Sequence, residues 1–404
     1  MARSRRSTRL AHALLAAVVL LTVSSWDVAA GYPKHEAPVP ADTLALMKAK
    51  GTSPAAPILM RVYKKEAELE VWKQAKDGRY VHLKTFPICR WSGQLGPKRQ
   101  EGDRQAPEGF YSVTPAQMNP NSAHYLSFDT GFPNAYDRAQ GSTGSALMVH
   151  GTCSSSGCFA MTNEAMSEVY ALAREAFRGG QKAFQFQAYP FRMTAENLVR
   201  HRLDPNIGFW RQLKEGSDWF EVMGRELIVG VAGGRYTFRS ARGGPPEEVL
   251  AYRAQEEDHA AVLLEEGWPA IRTTYVDGGQ HRSFAALMRQ GVSLGEVSRP
   301  EALAAAGREV VIAAARPLKP AAPAQEVADT RSAAVASDPQ QESLLAEAAP
   351  ADGGLELREQ EPFFLTPVRL AGFAMPGLQM PKLAGSVRII SAELSEEPRK
   401  LAAH

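Results

Sequence analysis

Three strand-length runs follow one another between Ile58 and Ile88, and they constrain the fold more than any other part of the chain. Ile58–Lys64, Leu69–Lys73 and Tyr80–Ile88 are dense in β-branched, aromatic and aliphatic residues, with charged or Gly-containing breaks between them. Side chains of this kind suit a pleated, half-buried surface. Gly109–Val113 and Ala146–Val149 extend the pattern, and Ala183–Tyr189 turns Phe184, Phe186 and Ala188 to one side. A helix is expected from about Thr162, because Met166, Val169, Tyr170, Ala173 and Phe177 share one face at helical period and Gly179-Gly180 ends it. Shorter helices are expected at Ala195–Arg202 and Ile207–Lys214. Residues 92–109 and 115–145 read as long loops, and loops of that length in a compact domain are commonly functional. Residues 57–220 thus read as one mostly β domain with a few helices.

The flanks read differently. Arg3, Arg5, Arg6 and Arg9 precede the apolar run Ala13–Leu21, and Val28-Ala29-Ala30 supplies small residues before Gly31. This is the layout of a secretory signal peptide over residues 1–30, cleaved after Ala30 and too short to span a membrane. The mature chain is therefore expected outside the cytoplasm, with no transmembrane span. Residues 31–56 are a Pro- and Ala-rich lead-in with one helical stretch, Ala41–Lys50. Residues 221–315 read as a small α+β unit without a catalytic cluster: Glu226–Ser240 is strand-like and Glu247–Glu266 helical. A hairpin is expected about Asp277-Gly278-Gly279, and Ala302–Ala315 is helix-prone. Residues 316–404 are rich in Ala, Pro, Glu and Ser at first and read as a low-complexity, disordered tail. A net charge of +2 on 404 residues offers no basic stripe for nucleic acid.

Export makes the cysteines informative. Cys89, Cys153 and Cys158 are the three in the chain, and an odd count in an oxidising compartment leaves at least one thiol unpaired. Cys89 paired with Cys153 frees Cys158, whereas Cys153 paired with Cys158 silences it. The segment Val149-His150-Gly151-Thr152-Cys153-Ser154-Ser155-Ser156-Gly157-Cys158 delivers an imidazole from a strand, turns through small residues and presents a thiol before a helix. Small residues allow close approach of a substrate. A nearby helix start and imidazole favour a thiolate, and the amides about Gly157 and Cys158 are candidates for stabilising an oxyanion. H-x2-C-x4-C also suggests zinc, but structural zinc sites use four ligands and no fourth lies near. Nucleophile, disulfide and metal all stand on spacing alone.

The ordered set of motifs resembles the L,D-transpeptidases of the YkuD type, in which His-Gly is followed by Ser-x-Gly-Cys, here His150-Gly151 and Ser155-Ser156-Gly157-Cys158. It is most similar to the YafK-like branch. Leu69-Glu70-Val71-Trp72, Phe86–Gly93, Leu95-Gly96-Pro97-Lys98, Glu101–Tyr111, Met118–Ser122, Pro133–Arg138 and Pro190–Thr194 all share in it, across residues 57–220. The resemblance implies a mainly β fold with short helices, a β-sandwich-like catalytic domain. It also implies a periplasmic location, a role in cell-wall biogenesis and cell shape, and peptidoglycan stem peptides as substrate. No cofactor or metal is expected. Cys158 is the implied nucleophile, His150 the proton donor and acceptor, and Gly157 a backbone oxyanion donor. The broader family often has His and Arg where Ser156 and Ala160 stand here, so a carboxylate-binding arginine is sought elsewhere. Arg104 and Arg138 are the candidates, with Tyr136 a further substrate contact. The thioester passes to an amine (transpeptidation) or to water (hydrolysis), the latter including release of a murein-linked lipoprotein. A non-catalytic wall-binding module is the rival reading. His124, in the long loop, either lines the cleft or is plain polar surface.

Overall fold

The computed structural model describes residues 31–313, apart from residue 242. The signal peptide read at residues 1–30 and the tail read at residues 316–404 lie outside the described residues. Helix α1 (Ala41–Ala49) leads to strands β1 (Ile58–Tyr63), β2 (Glu68–Gln74) and β3 (Tyr80–Pro87), within two residues of the expected bounds. After β4 (Arg90–Trp91) come β5 (Gly109–Val113), β6 (Met118–Asn119), β7 (Ser127–Asp129), the short helix α2 (Ala135–Ala139), β8 (Met148–His150) and β9 (Phe159–Ala160). Helix α3 (Asn163–Arg178) and strand β10 (Phe184–Tyr189) follow, then α4 (Ala195–Arg200) and α5 (Ile207–Met223).

The strands form two five-stranded sheets, one in the order β3-β2-β1-β10-β5 and the other β4-β9-β8-β7-β6. They meet through aromatic rings: Phe128 and Phe159 of the second sheet contact Phe184 and Phe186 of the first. Both faces of β1 are covered, so all six of its residues are buried. That explains a buried arginine in its middle. Arg61 donates to Ser217 at 2.8 Å and pairs with Glu221, both on α5, so its charge is compensated where water is excluded. The expected face of α3 (Met166, Val169, Tyr170 and Ala173) is buried, and Thr162 caps the helix by accepting from the Ala165 N–H.

Elsewhere tertiary packing alters the expectations. Residues 31–56 are more than a lead-in: Val39 and Met47 enter the main core, and Arg174 of α3 donates to the carbonyls of His35 and Ala37. Helix α5 runs on past Lys214 to Met223, because Gly216 allows the rings of Phe110 and Phe238 to approach where a Cβ would lie 2.4 Å from Phe110. The rest of the described chain is a β11–β12 hairpin (Ile228–Ala232 and Arg235–Arg239), α6 (Glu247–Glu265), β13 (Ala270–Thr274), α7 (Arg282–Arg289), α8 (Pro300–Leu303) and β14 (Arg308–Ala313). No hairpin forms about Asp277-Gly278-Gly279. β13 pairs with β14 instead, and 282–289 is helix. The alanine-rich stretch from Ala302 stops at Gly307, whose φ is +71, and the β-branched residues after it make a strand. This region shares the main core: Tyr236 stacks on Tyr136 at 4.5 Å, and Tyr275 meets Trp91 at 4.8 Å.

Candidate active site

The site is built on β8 and β9, which run parallel with His150 opposite Ala160 and Val149 opposite Phe159. Cys158, one residue before β9, therefore flanks Met148. The Met148 N–H points at Cys158 Sγ across 3.4 Å, and the thiol lies 3.9 Å from the Ala146 carbonyl. Met148 and His150 face the same side of the strand, roughly 7 Å apart along it. Cys158 thus lies beside β8 at the level of Met148, two residues along the strand from His150.

Cysteine connectivity is settled by packing. Cys89 and Cys153 are joined, with Cα atoms 5.4 Å apart, and Cys158 is free and half-buried. The zinc alternative loses Cys153 as a ligand, since a disulfide sulfur is no thiolate. The disulfide packs on Ala160 and on Phe284 of α7.

His150 is only 2% exposed. Its Nδ1 lies 2.5 Å from the carbonyl oxygen of Gly151, which can only accept, so Nδ1 carries the proton and Nε2 keeps the lone pair. Burial drives its pKa down to about 4; the bond to Gly151 opposes that shift, and nearby His124 adds to it. Burial also pushes the Cys158 thiol up, only partly offset by the Met148 N–H. The resting pair is consequently neutral. The thiolate expected from a helix start does not arise, because β9 intervenes and α3 begins five residues later, capped by Thr162. Gly151 has to be glycine on grounds of space: a Cβ there would meet Asn163 Oδ1 at 2.6 Å and Tyr125 Cβ at 2.9 Å.

The amides of Gly157 and Cys158 are already engaged. Both point at Ser155 Oγ, at 3.3 and 3.1 Å, and this hydroxyl also donates to the Cys158 carbonyl at 2.7 Å. Ser155 is thus the hub of the loop, and the oxyanion role read for Gly157 requires its N–H to leave that hydroxyl. Arg104 reaches the loop, donating to Ser156 Oγ at 2.8 Å and to the Ser155 carbonyl at 3.0 Å. Arg138 lies elsewhere, bonded to the Pro133 carbonyl and lining a separate cavity with Phe110, Asn134 and Tyr236. Tyr136, read as a substrate contact, has its ring buried and stacked on Phe209 and Tyr236, because α2 turns it into the core. His124 stacks on His150 with ring centroids 4.6 Å apart, so it covers the imidazole.

Asp277 is the residue that sequence reasoning missed. It lies in the run read as a hairpin turn, yet it is buried and pairs with Arg104 at 2.7 Å and Arg90 at 3.0 Å. Burial works against its charge, but the bonds and charge of Arg104, then of Arg90, hold its carboxyl below the ordinary range. One signal existed. Arg90 sits between Cys89 and Trp91 in an apolar strand and demands a buried acid, though nothing local says which. Among the described residues no group of three or more His, Cys, Asp or Glu is placed to hold a metal ion, and no helix is long and apolar enough to cross a membrane.

The model of the YkuD L,D-transpeptidase catalytic domain matches residues 59–179. YafK of Escherichia coli strain K12, whose name assigns it provisionally to the L,D-transpeptidases, is 43% identical over 181 residues, spanning 45% of this chain and 73% of YafK. YafK of Escherichia coli O157:H7 matches with the same identity and coverage. Among solved structures, the helical cell shape determining protein Pgp2 from Campylobacter jejuni is 14% identical over 57% of this chain and 80% of that one, but its TM-score of 0.26 is too low to bear on fold or function. The matched domain contains both His150 and Cys158, and the chain belongs to the L,D-transpeptidase family, alongside YafK.

Proposed function

We propose that this chain is an exported, peptidoglycan-modifying acyltransferase that works through a thioester on Cys158, with His150 as base and then acid. One observation carries the reading: a free thiol lies beside Met148, two residues along β8 from an imidazole whose Nδ1–H is held by the Gly151 carbonyl. Nε2 takes the Sγ proton as sulfur bonds to the carbonyl carbon that follows an L-centre in a stem peptide, and the carbonyl electron pair moves onto oxygen. When the tetrahedral species collapses, the C–N bond breaks and Nε2–H protonates the leaving amine. An acceptor amine then attacks the thioester, the C–S bond breaks, and the proton returns through His150 to sulfur. Water in place of the amine gives hydrolysis by the same residues.

Since both groups rest neutral, proton transfer accompanies attack and no ion pair is stored beforehand. The stack of His124 on His150 supports this by keeping the base desolvated. Purified sacculi, with and without attached lipoprotein, incubated with the protein and examined by mass analysis of muropeptides, test the reading. New cross-links are expected from wild type and none from Cys158→Ala. Loss of lipoprotein without cross-links would assign the chain to the hydrolases, and unchanged muropeptides would remove the enzymatic reading.

A further inference from the structure

Two residues from beyond the matched domain hold the loop that carries the thiol, Ser298 directly and Asp277 through Arg104. Ser298 Oγ accepts from the Ser155 N–H at 2.9 Å and donates to the Ser155 carbonyl at 3.2 Å, so one hydroxyl holds both backbone polar groups of that residue. Arg90 Nε donates to the Ser298 carbonyl at 2.9 Å, and Arg90 Nη2 to Asp277 at 3.0 Å. Asp277 takes Arg104 Nη2 at 2.7 Å and Arg104 Nε at 3.2 Å, while the Gly93 N–H reaches its other oxygen at 3.2 Å. Arg104 closes the ring by donating to the Ser155 carbonyl at 3.0 Å. Ser155, Ser298, Arg90, Asp277 and Arg104 therefore form one closed circuit of hydrogen bonds behind Cys158.

We propose that Ser298 and Asp277 are positioning residues of the active site, setting the conformation of the 154–158 loop through Ser155 and Arg104. The proposal rests on Cys158 as nucleophile. Ser154-Ser155-Ser156-Gly157 has no apolar side chain to anchor it, so beyond the Cys89–Cys153 disulfide its shape depends on hydrogen bonds. Its neighbourhood is also backbone-strained, with φ of +65 at Thr152, +56 at Ala146 and +56 at Arg104, none of them glycine. Strained backbone persists only where its surroundings over-determine it. Ser298 and Asp277 supply that determination from outside residues 59–179. The 221–313 region is thereby part of the machinery rather than an appendage. Reacting atoms misplaced by about 1 Å lose roughly 100-fold in rate, so a small slackening of the loop is measurable.

The full chain is used for the test. Ser298→Ala removes both bonds to Ser155, and Ser298→Thr keeps the hydroxyl. Turnover on sacculi (kcat and KM), the rate constant for Cys158 alkylation by iodoacetamide, and thermal melting are measured in parallel. Ser298→Ala is expected to lower kcat roughly 10- to 100-fold with KM within about twofold and to change the alkylation rate several-fold, with melting little altered. Ser298→Thr is expected to restore both rates. Asp277→Asn is expected to act in the same direction by releasing Arg104. If it fails to fold, the Ser298 pair decides alone. Wild-type kcat and alkylation in Ser298→Ala would overturn the proposal, as would a loss that threonine does not restore. Sacculi left unchanged by the wild type would count against the functional reading instead, and the alkylation comparison would still decide the role of Ser298.

Discussion

His150 couples folding to protonation strongly enough for the coupling to be measured. The unfolded chain holds this imidazole at its ordinary value of 6.5, whereas burial in the fold lowers it to about 4. Because the folded value is depressed, the unfolded state binds the proton first as pH falls. The stability this histidine contributes is fully present above about pH 6.5, is lost progressively below that, and is gone at about pH 4. The interval corresponds to about 3 kcal/mol, at roughly 1.4 kcal/mol per pH unit. His82 and His201 are also lowered by burial, so the signal has to be isolated by difference. His150→Gln removes the titrating group and retains an amide able to donate toward the Gly151 carbonyl. Denaturant unfolding of both proteins at pH 7.5, 6, 5 and 4 gives the difference directly. Wild type is expected to lose about 3 kcal/mol relative to the variant across that range. A difference independent of pH would mean that His150 titrates normally. It would then be solvated, and the neutral, desolvated base of the proposed mechanism would be wrong.

Three further outcomes follow from the same geometry. The Cys158 alkylation rate is expected to keep rising past pH 9 without a plateau near neutrality, since burial raises the thiol; a plateau between pH 5 and 7 would reveal a stored thiolate. Gly151→Ala is expected to cost about 1–3 kcal/mol in denaturant unfolding, because its Cβ meets the carbonyl oxygen of His124 at 3.1 Å as well as Asn163 and Tyr125. It should also depress activity by displacing the carbonyl that orients His150, and wild-type values for both would contradict the packing described. Reducing the Cys89–Cys153 bridge, which closes a separation of 64 residues, is expected to lower stability by about 4 kcal/mol, read as a drop in Tm with and without reductant.

Much of this molecule is legible in one dimension because its signals are local. Strands β1, β2, β3, β5 and β10 follow from runs of β-branched and aromatic residues, and α3 from a single apolar face with Thr162 and Gly179 at its ends. Cys158, His150 and Gly151 were legible as candidates for a similar reason: the loop between His150 and Cys158 is only seven residues long and made of small side chains. Local spacing still could not choose among nucleophile, disulfide and metal. That choice depended on which sulfur meets Cys89, a contact across 64 residues decided by the packing of β4 on β9.

Long-range partners were illegible. Asp277 reads as a turn residue until Arg90 and Arg104 surround it, and Ser298 reads as loop until its hydroxyl closes on Ser155. Tyr136 reads as a substrate contact in sequence and is core in space. Protonation was likewise a tertiary matter: the sequence places an imidazole near a thiol, but desolvation of both decides that each rests neutral. The amino-acid sequence by itself determined the strands and the helix, because periodicity acts over a few residues, and its motifs named His150 and Cys158 as the candidate pair through resemblance to a family. The tertiary structure alone decided the free thiol, the charge state of the pair and the circuit that holds its loop, because burial and ion pairing join residues that the chain keeps far apart.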